Sequence, residues 1–354
     1  METTLNLFDP IQTLKEMIAI PSFSGEEKEL ADLIASKFSD LEIYYERKGN
    51  NVWAKNKHFD PIKKTILLNS HVDTVYPNVG YSIDPYTPIL REGKLFGLGS
   101  NDAGGAAVAL LQSFLTFYYE ANLHYNLILL LSAEEENSGH NGIQAVLDEL
   151  PFIEFAIVGE PTEMKMAIGE KGLLVLDVEV KGRSGHAAHF QNENAIEKAM
   201  KDLKWFQEYV FDNKSELLGP VKMTVTQINS GKQHNVVPDR CSFVVDIRVN
   251  EYYKNSEILE IIKNNVESEI IPRSTHLNSS GIPLEHPIIR GGISIGLEYY
   301  GSPTLSDQVH LSCPSLKIGP GKSERSHTAN EFIFIDEIIK GIEIYEQLLK
   351  TVLL

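Results

Sequence analysis

The chain has 354 residues, enough for two domains with full cores, so a small scaffold stapled by disulfides is excluded. Apolar and aromatic residues with cysteine make up 42% and charged residues 23%, the composition of a globular protein rather than a disordered or fibrous one. Lys and Arg number 32 against 49 Asp and Glu, a formal charge of −17; a field of that sign repels phosphate backbones and anionic lipid, so neither nucleic acid nor membrane is an expected partner.

In chain order, residues 1–20 carry Glu2, Asp9, Lys15 and Glu16 without a continuous apolar run, so neither a secretory leader nor a membrane anchor is expected there. No later run reaches membrane-spanning length. Ser24-Gly25-Glu26-Glu27 has the form of a capping box and precedes Leu30, Leu33, Ile34 and Phe38 at helical spacing, which predicts a first amphipathic helix. Short apolar runs at 65–68, 127–132 and 155–158 suit buried strands, and a small-residue helix is predicted from 104 to about 118. Such alternation predicts an α/β domain, a sheet covered by helices.

Near residue 172 the pattern changes. Longer alternating strands at 173–180, 222–228 and 242–249, interleaved with helices near 193–210 and 255–269, are the grammar of an α+β sandwich. After about 283 the chain returns to helix and buried-strand signals, ending with a strand at 316–318 and an amphipathic helix from about 336 to 353. The expected organisation is a first domain of residues 1–172 and 283–354 interrupted by an inserted domain, 173–282, across short ordered junctions. Cys241 and Cys313 are far apart in sequence, which favours free thiols and a cytoplasmic location.

Chemically useful side chains gather just after the predicted strands of the first domain, where open α/β sheets form their binding crevices. His71 follows one strand, and Asp73 is placed to hold one of its ring nitrogens while the other binds metal. Taken alone, such a histidine is more often structural. Asp102 lies in the glycine-rich stretch Gly97-Leu98-Gly99-Ser100-Asn101-Asp102-Ala103-Gly104-Gly105, either as a helix N-cap or as a carboxylate presented to two ions. Glu134-Glu135-Glu136 leaves a strongly apolar strand, and adjacent carboxylates there repel one another unless cations or protons relieve them. Glu160 occupies the next strand end, with Pro161 fixing the exit. His327 lies in a glycine-rich loop after the strand at 316–318. Two histidines with carboxylates suit a pair of zinc ions sharing one Asp.

The set His71, Asp102, Glu135, Glu136, Glu160 and His327, with Ser-His-x-Asp-Thr at 70–74, Gly-Glu-Pro-Thr at 159–162 and the late Ser-His, resembles the family of acetylornithine deacetylases, succinyl-diaminopimelate desuccinylases, aminoacylases and zinc carboxypeptidases. The resemblance covers nearly the whole chain. It implies a zinc-exopeptidase-like catalytic domain with a mixed sheet between helices, and an inserted ferredoxin-like lid and dimerisation domain. It further implies that His71, Asp102 and Glu160 hold one zinc while Asp102, Glu136 and His327 hold the other, with cobalt a possible substitute. Glu135 becomes the general base, although a slip of one residue to Glu134 stays open. Ser100, Asn101 and Ala103 depart from the family's usual wording.

In the inserted domain, Gly182-Arg183-Ser184-Gly185-His186 is similar to a family motif whose histidine reaches the site of a partner subunit, with His189 a nearby competitor. Asn235 and Arg248 match positions that bind the substrate's polar groups and carboxylate; Arg248 otherwise reads as a salt-bridged strand residue. The implied activity is hydrolysis of an N-acyl amino acid, with N-acetylornithine or a related N-acyl ornithine or citrulline of arginine biosynthesis as the first expectation. The alternatives are a dipeptidase or desuccinylase and, in another class, a binding module that keeps the fold. A homodimer acting on a small molecule is expected.

Overall fold

The most apolar runs of the sequence become the centre of a sheet. In a computed structural model that describes residues 8–189 and 193–354, with Glu2 outside them, the chain divides into two units. The first comprises Met1–Ile168, Gly281–Tyr300 and Ser306–Leu354, and the second Gly169–Ser280 and Gly301–Leu305.

Helix α1 (Pro10–Ile18) begins at Asp9, whose carboxylate accepts from the N–H groups of Ile11 and Gln12 at 2.9 and 3.0 Å. Helix α2 (Lys28–Asp40) corrects one expectation: its capping box does not form, and no side chain caps it. Ser24 Oγ instead donates to Asp73 Oδ2 at 2.7 Å, and Glu27 accepts from the N–H of Gly25 at 2.7 Å. Water can satisfy the donors of an open helix end, whereas the fully buried Asp73 carboxylate needs protein partners, so the hydroxyl goes to the carboxylate.

Strands β1 (Tyr45–Lys48), β2 (Asn51–Lys55), β3 (Thr65–His71), β4 (Ile89–Arg91) and β5 (Lys94–Phe96) precede helix α3 (Gly105–Tyr118), after which come β6 (Asn126–Ser132), β7 (Ile153–Val158) and β8 (Met166–Glu170). The second unit supplies β9 (Gly172–Lys181), β10 (Gly185–His186), α4 (Ala195–Glu208), β11 (Lys222–Ser230), β12 (Val236–Val237), β13 (Arg240–Val249), α5 (Asn255–Lys263) and β14 (Glu269–Pro272). The chain then forms β15 (Ser280–Gly281), α6 (Pro287–Ser294), β16 (Tyr299–Ser302), β17 (Ser315–Lys317), β18 (Phe332–Phe334) and α7 (Ile335–Leu353).

In the first unit the strand order runs β1-β2-β6-β3-β7-β17-β8, with β6, β3, β7 and β17 parallel and β1, β2 and β8 antiparallel to their neighbours. Every residue of β3 and β6 is buried, which is why both read as unbroken apolar runs. Leu67, Ile128 and Leu130 pack with Trp53, Ile143, Val146 and Ala156 on one face. Ile66, Leu68, Leu127 and Leu129, equally inaccessible, turn to the other by the two-residue period. Each such leucine contributes roughly 1.5–3 kcal/mol by leaving water. The parallel register has one functional consequence: the carboxyl ends of β3, β6, β7 and β17 open along the same edge.

The second unit is a βαββαβ fold with the antiparallel order β11-β13-β9-β14, the ferredoxin-like arrangement. Leu174, Leu176, Val178 and Val180 of β9 alternate inward with Phe243, Val245 and Ile247 of β13 and pack on Ala199, Phe206, Ile258 and Ile262 of the helices. The helix expected over 255–269 ends at Lys263. Buried Asp202 of α4 accepts the N–H groups of Glu267 and Ser268 at 3.3 and 3.0 Å, so those donors are not available to continue the helix. Cys241 and Cys313 are free thiols. No described helix is long and apolar enough to cross a membrane.

Candidate metal centre

The shared sheet edge gathers the side chains singled out in the first unit. His71 closes β3; its Nδ1 lies 3.0 Å from the main-chain oxygen of Asp73 and 3.4 Å from that residue's Oδ1. Its Nε2 therefore faces Asp102 Oδ1 at 3.2 Å, Glu160 Oε1 at 3.8 Å and Glu135 Oε2 at 4.0 Å. The second oxygen of Asp102 is 3.5 Å from His327 Nε2, which in turn lies 2.9 and 3.1 Å from the two oxygens of Glu136. Asp102 thus stands between the two histidines, each facing a different oxygen of its carboxylate. Among the described residues, His71, Asp102 and Glu136 form one group of donor atoms lying within 4.8 Å of one another, and His71, Glu135 and Glu160 another.

The loop that carries Asp102 is built around main-chain contacts. Glu331 Oε1 accepts the N–H groups of Asn101 and Asp102 at 2.8 and 3.0 Å, which fixes the backbone while leaving the Asp102 carboxylate free of any helix-capping bond. Gly99 takes a left-handed conformation, φ +75°, and the N–H of Gly104 returns to Gly99 O at 3.0 Å. A Cβ on Gly104 would stand 2.5 Å from that oxygen and 2.7 Å from Leu14 Cδ1. Gly104→Ala is therefore expected to lower stability by about 1–3 kcal/mol, seen as a lower melting temperature.

The acidic triplet is sorted by its turn. Asp73 Oδ1 and Oδ2 accept the N–H groups of Glu135 and Glu136, both at 3.0 Å, and buried Glu27 accepts that of Glu134 at 3.1 Å. Glu134, at φ +54°, has its carboxylate bound to the main-chain and side-chain amides of Asn141 at 3.1 and 3.0 Å. Glu134 thus closes the following loop, while Glu135 and Glu136 face the histidines.

So many buried carboxyls cannot all ionise in the protein alone. Burial, with the charge of Asp102 next, pushes Glu160 up to about 8 against the pull of His71. Burial and the charges of Glu160, Asp307 and Glu136 raise Glu135 well above the carboxylate range. The Glu136 hydrogen bond lifts His327 to about 9. Burial works against charge on His71, but the surrounding carboxylates outweigh it and hold the imidazole well above its usual value. In this protein alone, protons offset the repulsion that divalent cations would otherwise relieve. Two imidazoles with hard carboxylate oxygens are the donor chemistry of zinc and its close substitutes, so the residues present fit such ions.

Sequence reasoning read Ser24 and Glu27 only as a helix cap and passed over Asp307 and Glu331, and all four support the site. Burial pushes Glu331 to about 8 despite its backbone donors, and Asp307 to about 6 despite the Ser132 hydroxyl. Glu331 ends the very loop that holds His327; an acid immediately before the apolar run of β18 was the available signal. The three candidates of the inserted domain lie in the second unit. His186 sits exposed on β10, opposite Val236, and its Nδ1 accepts from the N–H of Ala188 at 3.1 Å. Asn235 is exposed, with its main-chain oxygen accepting from Ala187 at 3.0 Å. Arg248 grips Asp246 on its own strand with two bonds of 2.9 and 3.0 Å, the strand-residue alternative that the sequence left open.

Residues 168–273 match the peptidase dimerisation domain of the M20 family. The chain is 26% identical over 382 residues to succinyl-diaminopimelate desuccinylase of Buchnera aphidicola, spanning 96% of this chain and 98% of that protein. It is 29% identical over 271 residues to succinyl-diaminopimelate desuccinylase of Sulfurimonas denitrificans, spanning 73% of each. In fold it is similar to an M20 family metallo-carboxypeptidase of Sulfolobus solfataricus, with a TM-score of 0.76 and 17% identity over 98% of this chain and 99% of that one. It is also similar to aminopeptidase PepT of Bacillus cereus, with a TM-score of 0.78 and 17% identity over 97% of this chain and 98% of that one. A dimerisation domain of this kind, inside a chain whose fold is similar almost from end to end to that of M20 metallopeptidases, marks the protein's likeness to the M20 metal-dependent hydrolases.

Proposed function

We propose that this protein hydrolyses the amide bond of an N-acyl amino acid, using two zinc ions for which cobalt can substitute. The observation that carries the reading is Asp102 standing between His71 and His327, with Glu136 and Glu160 beside them. His71, Asp102 and Glu160 would hold one ion, and Asp102, Glu136 and His327 the other. When bound, such ions supply Lewis acidity and lower the pKa of water from 15.7 to about 7, so a nucleophile is available at neutral pH.

The chain's own residues do the rest. Glu135 takes the proton of the attacking water on its carboxylate and returns it to the departing amine nitrogen, a contribution of about 10²- to 10⁴-fold. Asp73 fixes the His71 ring and anchors the turn that carries Glu135 and Glu136. Arg248, released from Asp246, would bind the substrate carboxylate, and Asn235 its polar groups. His186 donates to the developing oxyanion across a homodimer, with the inserted domain serving as lid and dimerisation domain, hinged near 172–180 and 282–288. His186→Ala is accordingly expected to lower kcat about 10²- to 10³-fold with zinc content unchanged. Mixing it with a Glu135→Gln variant should restore activity through hybrid dimers; no recovery would count against a role across subunits.

The substrate remains the finer part of the proposal. Motif resemblance supports N-acetylornithine or a related N-acyl ornithine or citrulline of arginine biosynthesis, handled in the cytoplasm. The names of the relatives support succinyl-diaminopimelate instead. The two differ in the acyl group, where succinyl adds a carboxylate, and in the amino acid that carries it, so kcat/KM across acetyl and succinyl derivatives of both amino acids and across dipeptides separates them. Zinc below one ion per chain, with no hydrolysis of any of these after Zn²⁺ or Co²⁺ is added, would refute the proposed activity.

A further inference from the structure

Behind the candidate metal centre lies a carboxylate that the proposed mechanism does not use. Asp307 heads the short turn Asp307–His310 and is 2% exposed. Ser132 Oγ donates to its Oδ2 at 2.6 Å, and Asn69 Nδ2 donates to the same hydroxyl at 2.8 Å. With the Asn69 amide turned over, its nitrogen reaches Asp307 Oδ2 directly at 3.2 Å. These contacts tie Asp307 to Asn69 within β3 and to Ser132, the last residue of β6, which stands opposite His71 in the β3–β6 ladder. Beyond Ser132 the chain passes Ala133, whose N–H is held by Asn51 Oδ1 at 3.0 Å, and enters the acidic triplet. Asp307 thus braces the point from which His71 and Glu134–Glu136 diverge, yet it belongs to neither group of converging donor atoms among the described residues.

We infer that Asp307 is a positioning residue for the cation pair: it anchors Ser132 beneath the donor set and adds a buried negative charge that attracts cations without ligating them. The inference rests on the two-zinc reading. Its physical basis is the cost of placing another carboxylate near Glu135 and Asp73 in a region from which water is excluded. Such a charge opposes folding of the metal-free chain and favours the loaded one. Removing it should therefore move the two states in opposite directions, which loss of an ordinary structural contact would not do.

The test compares wild type, Asp307→Asn and Ser132→Ala. Zn²⁺ affinity is measured by competition with a chelator, and melting temperature is measured on chelator-treated protein. Asp307→Asn preserves the size of the side chain and an oxygen acceptor for Ser132, and is expected to weaken Zn²⁺ binding about 10- to 100-fold. The melting temperature of the zinc-free variant should hold or rise. Ser132→Ala keeps the charge and should weaken binding less. Unchanged affinity in Asp307→Asn, a lower melting temperature of its zinc-free form, or an equal or larger loss in Ser132→Ala would each overturn the inference. A wild type that binds no Zn²⁺ would overturn the two-zinc reading together with it, so the two failures are distinguishable.

Discussion

Replacing Asp102 by alanine is expected to give a folded protein that retains neither zinc ion tightly and hydrolyses substrate only at background. Every other candidate ligand faces one histidine most closely, whereas the two Asp102 oxygens lie 3.2 and 3.5 Å from His71 and His327. Loss of zinc affinity should therefore exceed the roughly 10- to 100-fold that follows when a residue merely supporting a ligand is changed. Folding should survive, because the loop is held by main-chain donors: the N–H groups of Asn101 and Asp102 bind Glu331 whatever side chain stands at 102. Removing the carboxylate also relieves repulsion on Glu160 and Glu136 in the metal-free state. The checks are zinc per chain by elemental analysis, melting temperature with and without chelator, and turnover. A variant that keeps both ions would show that Asp102 is not the shared ligand.

Much of this site was legible in the sequence because its strands are. An unbroken apolar run belongs to a strand buried on both faces, parallel strands of that kind open their carboxyl ends along one edge, and His71, Glu135, Glu136 and Glu160 follow such runs directly. The α+β character of the second unit was legible for the complementary reason, since its one-sided sheet imposes alternation, while its ferredoxin-like order came only from the family resemblance. Residues that act through the main chain of distant segments were not. Glu331 binds N–H groups some 230 positions earlier, and Asp307 a hydroxyl 175 positions earlier. Neither pairing leaves a periodic or local trace. Ser24 shows the hazard of a local pattern: Ser-x-x-Glu before an amphipathic run is a sound capping signal, yet the buried Asp73 carboxylate captured the hydroxyl. At Arg248 the residue alone favoured a paired strand residue and only the family resemblance offered a carboxylate binder, and the chain's own Asp246 occupies the guanidinium.

The sequence also left open which member of the triplet acts on the water, and the turn geometry makes that question answerable by two substitutions. Glu135→Gln removes a proton acceptor of nearly the same shape from beside His71, 4.0 Å from its Nε2. Zinc should remain at wild-type stoichiometry while kcat falls about 10²- to 10⁴-fold, the range over which a positioned base contributes. Glu134→Gln alters a carboxylate committed to Asn141, and the amide keeps one oxygen able to accept from that residue. It should cost at most about 1 kcal/mol of stability and leave turnover within a few-fold of wild type. Because the two side chains are chemically identical neighbours, a large difference between the variants can come only from the direction in which the turn points them. Asp73 sets that direction by holding the N–H groups of both Glu135 and Glu136. If Glu134→Gln were instead the inactive variant and Glu135→Gln the mild one, the acid–base role would belong one residue earlier, and the turn would have to reverse to deliver it.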